Sequence, residues 1–255
     1  MSWPGGFLWG TGASSTQCEG AAPHSDWLAW ELAGRAPRSG DGNGFAARFR
    51  EDFAAFARLG LMQHRLSIEW ARIEPEEGWF SLAALEHYRR VLAACHEQGV
   101  RPCVTFHHFS SPRWFTADGG WEDASNIDRF LRYCERAVRH LGDLIDTAYT
   151  INEANLMATL AAGGILPPDG YKSRLDFVAD AARRCGSTLE RFGPFLLGHP
   201  QRISDVMLAA HGRARTILKS GPGDFAVGEL AHVVGADVDA AGGRAHQAGE
   251  QADQC

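Results

Sequence analysis

Short apolar runs recur along this chain. FLWGTGAS (7–14), HRLSIEWARI (64–73), VRPCVTFHH (100–108), DTAYTIN (146–152) and FAVGELA (225–231) read as strands. Helical spacing fills the intervals between them. Phe45, Phe49, Phe53, Phe56 and Leu59 form one stripe, stopped by Gly60. Ser81 suits the N-cap of a helix carrying Leu82, Leu85, Leu92 and Cys95, closed by Gly99. Ile127 to Leu141 and Ile203 to Leu218 mark two further helices. The stretch after residue 14, through 24–31 and 39–44, reads as a loop containing Gly and Trp, and 154 to about 200 as a long irregular insertion. Repeated β-α alternation predicts an α/β chain with a parallel sheet and crossover helices.

An open doubly wound sheet and a (β/α) barrel both satisfy that alternation. The first βα turn, TGASSTQCEG, lacks the G-x-G-x-x-G nucleotide fingerprint, and no P-loop occurs. Polar side chains gather instead at the carboxyl ends of the predicted strands: Gln17, Arg65, His108 and Asn152. A barrel assembles its active site there. The expected fold is therefore an incomplete (β/α) TIM-type barrel of about five parallel strands, one domain over 1–255. The Ala/Gly/Gln-rich tail 241–255 is expected to be poorly ordered.

Composition narrows the function. Hydrophobic residues make up 45%, charged residues 22%, and the net charge of −6 comes without a basic block, so no nucleic-acid surface is expected. No apolar run is long enough to span a membrane, and the N-terminus has no signal-peptide pattern. The six cysteines are irregularly spaced with no C-x-x-C pair, which suits reduced thiols in the cytoplasm better than disulfides or zinc. Neither a cofactor nor a metal is expected. Adjacent His107 and His108 would point to opposite faces of a strand and could not easily share an ion.

Four segments, in order, carry a resemblance. FLWGTGASSTQCEG (7–20) ends in Gln-x-Glu-Gly. HRLSIEWARIEPEEG (64–78), PCVTFHHFSSP (102–112) with GGW (119–121), and TINEA (150–154) follow. Together they resemble the family-1 glycoside hydrolases, the retaining β-glucosidase group, over roughly residues 7 to 230. The resemblance implies that Glu153 is the general acid/base and that Asn152, Gln17 and His108 bind sugar hydroxyls. It implies that Phe109 and Trp121 offer aromatic faces and that Arg65 lies at the barrel mouth. The residues alone leave plainer readings open. Asn152 and Glu153 would suit a helix N-terminus. Gln17 would suit a turn, Trp27, Trp30 and Trp121 a core, and Glu19 a structural role.

The chain departs from the family pattern at three points. Ala154 replaces the proline after the acid/base, and Phe109 replaces a common tryptophan. The Glu-Asn-Gly tripeptide that carries the family nucleophile is absent from the 255 residues. By period-2 alternation Arg65, Ser67 and Glu69 share one face, so Glu69 is the nearest substitute nucleophile or else a simple partner of Arg65. Glu229 is the second candidate. A carboxylate from another subunit, or direct attack by water, are further options. The expected function is a β-glucosidase-like hydrolase of β-glucosides or aryl β-glucosides; the alternatives are a catalytically impaired sugar-binding fragment or a phosphate-handling barrel enzyme. An open sheet has two unpaired edges, so a homo-oligomer is expected.

Overall fold

The computed structural model describes residues 4, 6–170 and 176–228. Five strands, β1 (Gly10–Ala13), β2 (Gln63–Ser67), β3 (Arg101–His107), β4 (Thr147–Ile151) and β5 (Ala226–Val227), form one sheet in the order β1-β2-β3-β4-β5, and every pair is parallel. Strand order equal to chain order, with helical crossovers, is the wall of a (β/α) barrel. Among the described residues that wall is open, with β1 and β5 at its edges. Glu229, the rest of the run 225–231 and the tail 241–255 lie outside the described residues.

The long helices form where the apolar stripes predict them: α3 (Phe45–Arg58), α5 (Leu82–Glu97), α7 (Ile127–Leu141) and α10 (Pro200–Ser220). Ser81 caps α5 by accepting from the Ala84 amide. Gly60 and Gly99 end α3 and α5 at φ 76° and 69°, a left-handed turn that glycine takes without strain.

Three segments differ from the expectation. The run 64–73 is not one strand: it breaks after Ser67, and Trp70–Ile73 is the short helix α4. Glu69 starts that helix by accepting from the Ala71 amide, and Trp70 is buried among Trp114, Phe115, Phe130 and Tyr133. Local alternation favours a strand, but the cap and the aromatic pocket decide otherwise. The early loop contains α1 (Ser15–Glu19) and α2 (Asp26–Leu32), and the insertion contains α8 (Leu156–Ala162) and α9 (Asp176–Arg184). These helices are held from afar. Trp30 of α2 packs with Val178, Ala181 and Ala182 of α9 and with Phe192 in a small second apolar cluster. A further short helix, α6 (Arg113–Ala117), follows β3.

Alternation along the strands separates two faces. Leu66, Val104, Phe106 and Ala148 are buried under the helices, in the main core. Arg65, Thr105 and Tyr149 meet on the opposite, inner face. His64 is the polar exception on the helix side. It lies among Phe45, Phe53 and Phe56, with ring centroids 5.1–5.7 Å away, and one ring nitrogen meets the Thr11 hydroxyl at 2.6 Å. Among the described residues, no helix is long and apolar enough to cross a membrane.

Burial pushes the His64 pKa down to about 4. The folded protein keeps this ring neutral while the unfolded chain protonates it, so its contribution is lost as pH falls from about 6.5 towards 4. His64→Phe removes that proton linkage. Urea midpoints measured from pH 7 to pH 4 should then fall less steeply than in wild type, by roughly 3 kcal/mol at most over the window.

Candidate active site

The parallel sheet brings the carboxyl ends of β1 to β4 to one side, and Gln17, Arg65, His108, Phe109, Asn152 and Glu153 lie on these strands or just past their ends. After β1, Ser14 and Gln17 form a capping box on α1. Ser14 Oγ accepts from the Gln17 amide at 3.3 Å, and Gln17 Oε1 accepts from the Ser14 amide at 3.2 Å. The Gln17 oxygen is thereby used, and its NH₂ group is left to donate.

On the inner face of β2, Arg65 donates from Nε to Thr105 Oγ1 (3.1 Å) and from Nη2 to Asn152 Oδ1 (2.7 Å). Its guanidinium also lies over the Tyr149 ring at 5.1 Å. Arg65 can only donate, so the Asn152 amide is fixed with its oxygen inward and its NH₂ group outward. The Asn152 backbone N–H donates to the His107 carbonyl at 2.8 Å, which ties the end of β4 to β3.

His108 follows β3 and is half-buried. Burial, then the positive charge of Arg65, pushes its pKa down to about 4. A neutral imidazole both donates and accepts, as a sugar hydroxyl requires. Its neighbour His107 is fully buried, in contact with Ser111 (2.9 Å) and with the indole N–H of Trp121 (3.1 Å). Phe109 stacks on Phe195 at 5.1 Å, an aromatic partner from the far side of the insertion that the sequence motifs did not reveal.

Glu153 is exposed, directly past β4. It does not cap the next helix: α8 begins at Leu156 behind Asn155. Its φ is 51°, and Phe109 has φ 70°. Left-handed backbone at non-glycine residues is uncommon and strained, and it clusters at functional sites. Among the described residues three non-glycines take it, and two of them are these.

Two predicted site residues are not on this surface. Trp121 is 1% exposed and packs against His107, Phe115 and Phe130, so it has no face for a sugar. The packing preference of a large indole outweighed the motif. Glu69 is 2% exposed and does not pair with Arg65. The end of β2 at Ser67 breaks the alternation that would have put it on the inner face. Its oxygens accept from Ser15 Oγ (2.7 Å), Ser110 Oγ (2.8 Å) and the Ala71 amide (3.2 Å), which makes it unavailable as a nucleophile in this arrangement. Glu229 lies outside the described residues.

Behind the surface lie buried carboxylates that the sequence singled out only in Glu19. Glu19 meets Arg72 at 3.4 Å and accepts from Tyr88 at 2.9 Å. Asp26 accepts from the Ser111 amide and from Thr116 Oγ1, both at 2.9 Å, and so holds the loop after His108. Glu74 accepts from Trp70 Nε1, the Gly78 amide and Arg132. A cavity of about 560 Å³ opens beside Glu19, Arg72 and Tyr88, but none of Gln17, His108, Asn152 or Glu153 lines it.

Burial pushes Asp26 up to about 7 against its hydrogen bonds. The folded state thus holds a proton that the unfolded state releases near pH 4, and this contribution to stability is lost as pH rises from about 4 to 7. Asp26→Asn abolishes it. Relative to wild type, the variant should gain on the order of a few kcal/mol between pH 4 and pH 7.5, read as a difference in urea midpoints.

Comparison with known proteins agrees with the fold. Residues 1–185 match glycosyl hydrolase family 1. The chain is 35% identical over 179 residues to a coniferin β-glucosidase of Pinus contorta, covering 66% of this chain and 35% of that protein. It is 36% identical over 175 residues to a 6-phospho-β-galactosidase of Streptococcus pneumoniae, covering 66% and 37%. Among solved structures, the β-glycosidase BGL167 superposes with a TM-score of 0.80 at 43% identity, covering 89% of this chain and 55% of that one. β-Glucosidase 1317 gives 0.78 at 39%, covering 86% and 56%. The chain thus spans little more than a third of these curated relatives and just over half of these structures. Four ordered motifs, a five-stranded parallel barrel wall and these matches place the chain in glycosyl hydrolase family 1.

Proposed function

We propose that this chain carries the acid/base and sugar-positioning part of a β-glucoside-hydrolysing site. The observation that carries the reading is the Arg65–Asn152 hydrogen bond of 2.7 Å, which fixes an amide donor beside the exposed Glu153. In the proposed reaction Glu153 gives its proton to the glycosidic oxygen as a nucleophile bonds to the anomeric carbon in its place, and the aglycone leaves as an alcohol. Where that nucleophile is a carboxylate, Glu153, now ionised, takes a proton from the water that displaces it from the sugar. Asn152, Gln17 and His108 hold the sugar hydroxyls, Phe109 offers an apolar edge to the ring, and Arg65 acts through Asn152.

The nucleophile is the open part of the reading. Glu229 is the in-chain candidate, with a carboxylate of another copy or direct attack by water as the other routes. A close carboxylate pair gives retention, and attack by water gives inversion. The second reading is a sugar-binding chain without turnover, and the enclosure of Glu69 favours it. Self-association belongs to the same proposal, because among the described residues the edges β1 and β5 are unpaired on their outer sides and Arg65 and Tyr149 of the inner face are only half-buried. A reducing compartment suits the free thiols of Cys18, Cys95, Cys103, Cys134 and Cys185.

A chromogenic aryl β-glucoside separates the readings. Wild type should release the aglycone, and Glu153→Gln should lose roughly 10²–10⁴-fold in kcat. Glu229→Gln should do the same only if that residue attacks the anomeric carbon. Absence of turnover with measurable gluconolactone binding would select the second reading, and full activity in Glu153→Gln would overturn the assignment of Glu153. Light scattering behind size exclusion should give at least twice the 27.8 kDa chain mass. A sharp monomer peak would remove self-association from the proposal.

A further inference from the structure

Gln17, in α1 after β1, and His108, just past β3, lie on different strand-to-helix connections 91 residues apart in sequence, yet both must hold one sugar ring. Something has to fix the two loops against each other. Direct contact between residues 14–20 and 108–112 is slight: Thr16 Oγ1 reaches Ser110 Oγ only at 3.4 Å, and the Asp26–Ser111 bonds tie the His108 loop to α2 rather than to Gln17. The stronger link passes through Glu69. A single oxygen, Oε2, accepts from Ser15 on the Gln17 side (2.7 Å) and from Ser110 on the His108 side (2.8 Å). Ser15 is two residues before Gln17, and Ser110 is two residues after His108, with its amide donating to the His108 carbonyl at 2.9 Å.

Glu69 is itself held from behind. Its Oε1 accepts from the Ala71 amide, and its own amide donates to Tyr88 Oη at 3.0 Å. Tyr88 in turn donates to Glu19, which pairs with Arg72. The Ser15 amide donates to Ser67 Oγ at 2.8 Å, one more tie between the first loop and the end of β2. Among the described residues no cation lies within ion-pair distance of Glu69. Filling the same space with an apolar side chain would avoid the desolvation of a carboxylate, so packing alone does not account for it. A two-hydroxyl acceptor aimed at two site loops does.

We propose that Glu69 is a positioning residue: a buried carboxylate pin that sets the α1 segment carrying Gln17 and the His108–Phe109 loop in one fixed geometry. The proposal rests on the reading that these two loops grip one sugar, but the pin itself is a property of the loops and can be tested without the sugar. Cutting it at one loop releases the other. Hydrogen exchange by mass spectrometry, followed over peptides spanning 14–20 and 108–112 with α10 as internal reference, reads this directly.

Ser110→Ala should raise exchange in 14–20, and Ser15→Ala should raise it in 108–112, each about tenfold, with α10 unchanged. Glu69→Ala should raise both, and Glu69→Gln, which keeps one acceptor oxygen, should recover part of the protection. The Ser15→Ala/Ser110→Ala double variant should add little beyond either single one, because both cut the same pin. If Glu69→Ala does not fold, the serine variants decide alone. Gluconolactone affinity by calorimetry should fall about tenfold in each serine variant. Exchange that changes only in the mutated loop overturns the pin. Cross-loop exchange in a protein that binds no gluconolactone upholds the pin and overturns the sugar-gripping reading.

Discussion

The guanidinium of Arg65 reaches from β2 across two neighbouring strands, donating to Thr105 on β3 and to Asn152 past β4 while lying over the Tyr149 ring. The site depends on this bridge. It joins residues 87 positions apart, orients the Asn152 amide and helps to keep His108 neutral. A guanidinium can do this because its donors form a rigid planar fork, so two bonds in different directions fix one geometry. Parallel register supplies the rest: Ser67 faces Thr105, and Thr105 faces Tyr149, so side chains on the same face meet at the same height.

Beneath that surface the structure uses buried carboxylates as fasteners. Asp26, Glu69 and Glu74 each accept at least two hydrogen bonds, and Glu19 combines one with an ion pair. Each raises the cost of desolvation, which appears as upward pKa shifts in all four. The neutral histidines His64, His107 and His108 have the opposite linkage. The pH dependence of stability is therefore a difference between two opposing sets. Single variants isolate one set, whereas a wild-type pH profile mixes them.

Much of the fold was legible in the sequence because it rests on local periodicity. The stripe Phe45–Phe49–Phe53–Phe56, the Ser81 cap and the stops at Gly60 and Gly99 all lie where the chain alone puts them. Legibility failed where partners are distant. HRLSIEWARI alternates like a strand throughout, yet Trp70 finds a pocket built by Trp114, Phe115, Phe130 and Tyr133 and turns the chain into a helix. α2 and α9 escaped notice because Trp30 and Val178 stabilise each other across some 150 residues. At the site, Asn152, Glu153, His108 and Gln17 could be picked out as residue types at strand ends. The enclosure of Glu69 and the burial of Trp121 could not, since a motif fixes position along the chain and not the direction of a side chain.

The sequence by itself determined the β-α alternation, the parallel sheet that follows from it and the polar ends where a site could form. Hydrophobic period and turn chemistry act over a few residues and can be read in order. Only the tertiary structure decided which polar groups face one another: Arg65 with Asn152, and Glu69 with Ser15 and Ser110 rather than with Arg65. Those pairings depend on strand register and on where β2 ends, and the balance between hydrogen bonding and desolvation settles them only when distant segments have packed.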